Sequence, residues 1–295
     1  MNRKSFFTFI LLAAVFTLPS ACAQKRQAPA ADRVFIDEQG RAVKINSDPQ
    51  RIISLAPSVT ETLFALGLSD RIVGVTSYCD YPPEAAQKER VGDTMRPSLE
   101  KVISLKPDLV IASTASQLEQ FVQRLDELGV PIYVSNPRLL FDLLSSIERI
   151  GEITGVKERA LDLSRGLRER IEAIERKSAE LEKPKVLFIL GADPLITVGK
   201  TSFVSDLIRR AGGASISDDV SVDYPQYSLE TAVAKQPEVI FLQAGESALP
   251  SRLKQTPAAR ANRVYHLNDD LLLRPGPRIV DGLEQMAEKI HPTVN

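Results

Sequence analysis

A segment that occurs twice constrains this chain more than any other feature. Leu99-Glu100 opens the stretch LEKVISLKPDLVIAS, and Leu229-Glu230 opens LETAVAKQPEVIFLQ. In each, Leu-Glu begins a turn or two of amphipathic helix. A Pro follows at the same offset (Pro107, Pro237), then an acid (Asp108, Glu238), then an apolar run. The two glutamates lie 130 positions apart, from 100 to 230, with no shorter period between them. Solenoids repeat every roughly 20–50 residues, so this longer spacing predicts two lobes of similar construction. Two such lobes imply a cleft, and a cleft is where a ligand goes.

The length of 295 residues allows two domains. The net charge of −1 leaves no basic excess to meet phosphates, so no nucleic-acid partner is expected. Trp is absent, so aromatic contacts in any pocket must come from Tyr or Phe.

Residues 1–23 read as an export signal: Arg3 and Lys4, then an uncharged apolar run from Phe6 to Leu18, then Pro19-Ser20-Ala21-Cys22. Two processing routes fit. Cys22 can be the lipidated first residue of a lipoprotein, although Pro19 stands where that motif prefers Leu. Alternatively, Ala21-Cys22-Ala23 fits cleavage before Gln24. Either route places the mature chain outside the cytoplasm, with lipidated Cys22 as a membrane anchor in the first. Cys79 is then left without a disulfide partner, so the core must hold the fold. Residues 24–33 read as a flexible tether.

Beyond the tether, Val34 to Ile45 reads as a β-hairpin around Gly40. Arg51 to Leu55 is a strand, with Ser58 or Thr60 as the cap of the next helix and Glu61 in its first turn. Short apolar strands then alternate with helices, which argues parallel, doubly covered sheets. The expected organisation is an N-terminal α/β lobe over 34–155, a connecting helix over 156–183, and a C-terminal α/β lobe over 184–295. In the connector, Leu163, Leu167, Ile171 and Ile174 form one apolar stripe among Arg, Glu and Lys. A single rigid helix bridging two lobes implies limited closure.

Familiar catalytic motifs fail on inspection. Gly199-Lys200-Thr201 resembles the end of a phosphate loop, but Pro194 holds the place of the required upstream Gly. Two His, one of them in the C-terminal tail, are poor material for a metal site. No Gly-x-Ser-x-Gly elbow is present, and no enzyme is expected. What remains are loops at the carboxyl ends of strands, where open α/β sheets bind ligands. One is Thr76 to Pro83, with Tyr78 offering an aromatic face. The other is Asn268 to Arg278, where Asp270 and Arg274 flank Leu271, Leu272 and Leu273. A local Asp270–Arg274 salt bridge is the plain alternative to ligand contact. Glu100 and Glu230 could be simple helix caps. A matched acid in each lobe also suits docking onto a symmetric basic partner.

RIISLAPSVTETLFALGL, GVTSYCDYPPEA, LEKVISLKPDLVIA, PLITVGK, YPQYSLE and RPGPRIVDGLE together resemble the iron-siderophore/cobalamin periplasmic binding proteins of ABC importers, above all the cobalamin-binding members. The likeness runs from about Val34 to the end. It implies two Rossmann-like lobes joined by one long helix, the class III periplasmic binding fold. It implies a monomer that captures a ligand between the lobes, without catalysis or resident cofactor, and delivers it to a dimeric permease in the cytoplasmic membrane. By position, Tyr78, Tyr224 and the Asp270 to Arg274 loop match ligand contacts, and Glu100 and Glu230 match acids that bind permease arginines. Thr94 and Ser113 stand where cobalamin binders carry Trp, and at Tyr224 a Tyr replaces one. Corrinoid, haem and ferric siderophore all stay open as ligands, and a Cys79 thiolate beside Tyr78 could coordinate a ligand's metal, although a small loop filler explains it as well. A rival from another class is a nitrogenase-like α/β redox domain, which would need ligating Cys and His that the mature chain almost lacks.

Overall fold

A computed structural model describes residues 33–45, 48–113, 118–243 and 249–292. The export signal, Cys22 and most of the tether lie outside the described residues. The hairpin forms as expected, β1 (Arg33–Ile36) against β2 (Ala42–Ile45), with Gly40 at φ 84°. Its alternation buries Phe35, Val43 and Ile45 and leaves Val34 and Ile36 to solvent.

The first lobe then builds from β3 (Ile52–Ser54), α1 (Pro57–Ala65), β4 (Ile72–Val75), α2 (Leu99–Ser104), β5 (Leu109–Ser113), α3 (Glu119–Glu127) and β6 (Ile132–Ser135). Its four strands are parallel in the order β4-β3-β5-β6. Ile52, Leu109, Val110, Ile111, Ile132 and Tyr133 are fully buried, as a sheet covered on both faces requires. α1 opens differently from the sequence expectation. Pro57 takes the first helical position, where its missing N–H costs nothing. Thr60 instead donates to the Ser54 hydroxyl at 2.8 Å, and Ser58 caps nothing.

Two antiparallel helices follow, α4 (Leu140–Ile153) and α5 (Lys157–Ser178). α5 is the expected connector, and its stripe lies inward: Leu167, Ile171 and Ile174 are buried and Leu163 packs against the same core. The N-cap residue of α4, Leu139, has no capping side chain, so Asp142 accepts from Leu139 N and Asp206 from Leu140 N. Leu140, Leu143, Leu144, Ile147, Ile150 and Ile153 hold it by burial.

The second lobe comprises β7 (Lys185–Ile189), the two-residue strands β8 (Gly191–Ala192) and β9 (Leu195–Ile196), α6 (Phe203–Arg210), β10 (Ala214–Ser215), α7 (Leu229–Ala234), β11 (Val239–Leu242), α8 (Pro257–Arg260), β12 (Val264–His266), α9 (Asp269–Leu272) and α10 (Ile279–Ile290). Its parallel order is β10-β7-β11-β12. Both lobes therefore run second, first, third, fourth strand. The repeated Leu-Glu segment falls at the same place in each, just before the third strand. In both copies a Ser caps the helix, Ser98 to Lys101 N and Ser228 to Thr231 N. In both, the residue before the Pro turns left-handed, Lys106 at φ 47° and Gln236 at φ 52°.

One apolar core runs through both lobes along α5, joining Ile52, Leu63 and Leu144 to Ile171, Phe188, Val204 and Leu283. Ile171→Ala should lower unfolding stability by about 2–5 kcal/mol, because Ile171 is 0% exposed and leaves a cavity. Arg165→Ala, on the solvent face beside Asp162, should stay within about 0.5 kcal/mol. Denaturant titration of both variants checks the contrast.

Candidate functional site

Segments that follow β4, β6, β10 and β12, at the carboxyl ends of their strands, make ion-pair contacts across the junction of the lobes. The loop after β4 is pinned from below. Arg90 donates to the carbonyls of Thr76 and Cys79 at 2.5 and 2.9 Å, and Ser77 N donates to Gly92 O at 2.8 Å. Gly92 sits at φ 112°, and a Cβ there would lie 2.7 Å from Arg96 O, so only Gly fits this close approach. The pinned turn lifts Tyr78 into solvent, 58% exposed, and seals Cys79 completely, its Sγ 3.1 Å from Thr76 Oγ1. Cys79 is thus a small residue filling the turn and presents no thiol to a ligand.

Opposite stands the loop from α9 to α10. Arg274 of this loop reaches Asp80 of the first lobe with both terminal nitrogens, at 2.5 and 3.3 Å, and Asp270 at 2.8 Å. Four residues on, Arg278 grips Glu61 of α1 with two bonds, 2.9 and 2.7 Å. The Tyr81 ring lies 3.6 Å from the same guanidinium. Glu61 is only 4% exposed. Burial pushes its carboxyl above the usual range, and Arg278 opposes that push. Asp80 moves the other way, because Arg274 holds its carboxylate form. Pro275-Gly276-Pro277 stiffens the link between the two arginines, and Gly276 lies against Ser58 of α1.

The structure brings the second loop to the junction of the lobes, with its residues disposed differently from the sequence expectation. Asp270 and Arg274 do form the local salt bridge, and Arg274 also bridges to the other lobe. The three leucines do not form an exposed apolar face. Leu272 is 2% exposed within the core, Leu271 is buried, and Leu273 packs partly against the same core. Glu61, Asp80 and Arg278 went unmarked as site residues. Glu61 reads locally as a first-turn helix acid, and only its burial reveals the partner.

The second contact across the junction uses the segment before α7. Gly199 N donates to Asp223 O at 2.9 Å and Lys200 N to Val220 O at 2.8 Å, while a Cβ on Gly199 would collide with Val222 O. The Gly-Lys-Thr turn therefore serves as a buttress for this loop. Thr201 donates to Asp223 Oδ1 at 2.5 Å, and Arg138, leaving β6, reaches Asp223 from the other lobe at 3.3 Å. Tyr224 follows, 52% exposed. Glu100 and Glu230 lie away from these loops, on the first turns of α2 and α7. Both are exposed, and Glu230 pairs with Arg252 and accepts from Ser228.

Removing the charge of Glu61 leaves the partly exposed Arg278 without its carboxylate partner. Glu61→Gln should cost about 1–3 kcal/mol of stability, against about 1 kcal/mol or less for Glu100→Gln on the surface. Thermal or denaturant unfolding of the two variants tests this difference.

Comparison with known proteins agrees with this architecture. The family model described as "Periplasmic binding protein" matches residues 52–271. The vitamin B12-binding protein of Vibrio parahaemolyticus is 33% identical over 247 residues, which cover 82% of this chain and 90% of that protein. An uncharacterized ABC transporter substrate-binding lipoprotein of Bacillus subtilis is 32% identical over 311 aligned positions, 99% of this chain and 98% of that one. Among solved structures, the periplasmic vitamin B12 binding protein of Vibrio cholerae matches with a TM-score of 0.73 at 34% identity, covering 82% of this chain and 97% of its own. The periplasmic heme-binding protein of Roseiflexus sp. RS-1, in apo form, matches with a TM-score of 0.75 at 28% identity, covering 83% and 99%. These relatives are binding proteins, not enzymes, and the nitrogenase-like alternative is set aside. With a family match across most of the chain and the same two-lobed fold, the chain belongs to the periplasmic binding protein family.

Proposed function

We propose that this protein is the extracytoplasmic substrate-binding component of an ABC importer, and that it holds a corrinoid between its lobes and hands it to a membrane permease. The observation that carries the reading is the pairing of exposed tyrosines with the loops that bridge the lobes. Tyr78 stands two residues from Asp80, and Tyr224 adjoins Asp223, so an aromatic face flanks each interlobe contact. Half-exposed aromatics with a polar tip suit a broad, flat ligand with hydrogen-bonding edges. Relatives named as vitamin B12-binding at 32–34% identity supply the ligand class.

Arg274 and Asp270 then orient the ligand from the second lobe, and Leu273 borders them. A haem is the second reading, favoured by the fold shared with the Roseiflexus heme-binding protein. A ferric siderophore is a weaker third. Export and lipidation at Cys22 fit the likeness to the Bacillus lipoprotein.

Titration of the mature protein with cyanocobalamin, cobinamide, haem and ferric siderophores, followed by tyrosine fluorescence or heat, tests the ligand. The corrinoids should bind tightest, and silence from all four would sink the reading.

Glu100 and Glu230 are read as permease-docking acids. The shared strand order places them at equivalent corners of the two lobes, as a two-fold symmetric partner demands. Charge reversal at both positions should abolish uptake in cells while leaving ligand affinity in solution unchanged. Undiminished uptake would remove the docking role.

A further inference from the structure

A second internal repeat emerges once the strands are placed. Asp80-Tyr81-Pro82 follows β4, and Asp223-Tyr224-Pro225 follows β10. β4 and β10 hold the same place in their sheets, the outer edge beside the first strand. Each aspartate binds an arginine of the opposite lobe, and that arginine follows the fourth strand there. Asp80 pairs with Arg274 after β12, and Asp223 pairs with Arg138 after β6. The two ion pairs are equivalent under the exchange of lobes that also relates the Leu-Glu segments. They stand at opposite edges of the junction. In each sheet three strand spacings separate the edges, on the order of 14 Å.

We propose that Asp80 and Asp223 are specificity-determining residues, two matched clasps that favour a ligand with a neutral, hydrogen-bond-donating periphery and disfavour one whose periphery carries carboxylates. The inference rests on the corrinoid reading and narrows it. The three arginines that bond across the junction are already matched by carboxylates of the protein. Arg274 holds Asp80 and Asp270, Arg278 holds Glu61, and Arg138 holds Asp223. Four carboxylates face three guanidiniums, so the clasps carry one net negative charge.

A ligand carboxylate gains a guanidinium only by displacing a tethered protein carboxylate, and it then sits beside the charge it displaced. Like-charge juxtaposition of this kind is how interfaces reject a wrong partner. A ligand amide meets no such penalty. Each aspartate has about four acceptor positions, and its arginine occupies only some of them. Both side chains remain open to solvent, 58% for Asp80 and 36% for Asp223, so an amide N–H can add to the pair without breaking it. The amide-rich rim of a corrinoid fits this arrangement, whereas the propionates of haem oppose it.

The test compares cobinamide with its carboxylate counterpart cobyrinic acid by calorimetry, on the unaltered protein and on the Asp80→Asn, Asp223→Asn double variant. Unchanged melting curves establish that the variant is folded. The unaltered protein should bind cobinamide at least ~10-fold tighter, and the double variant should shrink that ratio by ~10-fold as Arg138 loses its aspartate and Arg274 keeps only Asp270. Each single variant should move the ratio part of the way. Binding of both probes with the same ratio in the double variant overturns the clasps alone. Failure of the unaltered protein to bind either probe overturns the corrinoid reading and this inference together.

Discussion

The Glu61–Arg278 pair fixes how the two lobes meet. Its carboxylate, on α1 of the first lobe, is buried, and its guanidinium, at the start of α10 of the second, is partly exposed. A buried charge is tolerated only when its partner is held in good geometry. Here the partner is held by the Tyr81 ring on one side and by the stiff Pro275-Gly276-Pro277 link on the other. That link carries Arg274 to the edge of the junction, where it meets Asp80. The Glu61–Arg278 pair is thus a pin, and the exposed pairs at Asp80 and Asp223 are contacts a ligand can reach.

The division of labour between these contacts follows from burial. The pin resists opening, because separation would strand the buried Glu61 carboxylate without its partner. Pairs at the rim are screened and individually weak, so they can share a hydrogen bond with a ligand at small cost. Behind them, α5 lies on a core common to both lobes. A helix packed this way bends little, which suits a binding protein whose lobes shift slightly around a ligand.

The legible part of the sequence was the part written in local patterns. The Leu-Glu repeat, the hairpin at Gly40, the apolar stripe of α5 and the alternation of strands and helices all appear where the residues place them. Less of the site was legible. Tyr78 and Tyr224 are exposed as a ligand contact requires, but Leu271 and Leu272 are turned into the core by the short helix they end. α4 escaped local reading because its N-cap position holds Leu139 and one of its first N–H groups is met by Asp206, 66 positions away. Glu61 escaped because, in a helix expected to start at Ser58 or Thr60, it passes for a first-turn acid; α1 starts at Pro57 and Glu61 lies beyond its first turn.

The amino-acid sequence by itself determined the two lobes, their parallel sheets, the long connector and the family, since each depends on periodicity, turn chemistry or motif order along the chain. Only the tertiary structure decided which charges meet. Glu61 and Arg278 are 217 positions apart, and Asp80 and Arg274 are 194. Their partnership arises from two sheets with the same strand order facing each other across a junction. The second repeat, Asp-Tyr-Pro, is only three residues long and acquires meaning from the matching strand edges it follows. Ion pairs across such distances leave no local signature, because the energy that selects them is the desolvation and pairing of groups brought together by the packed fold.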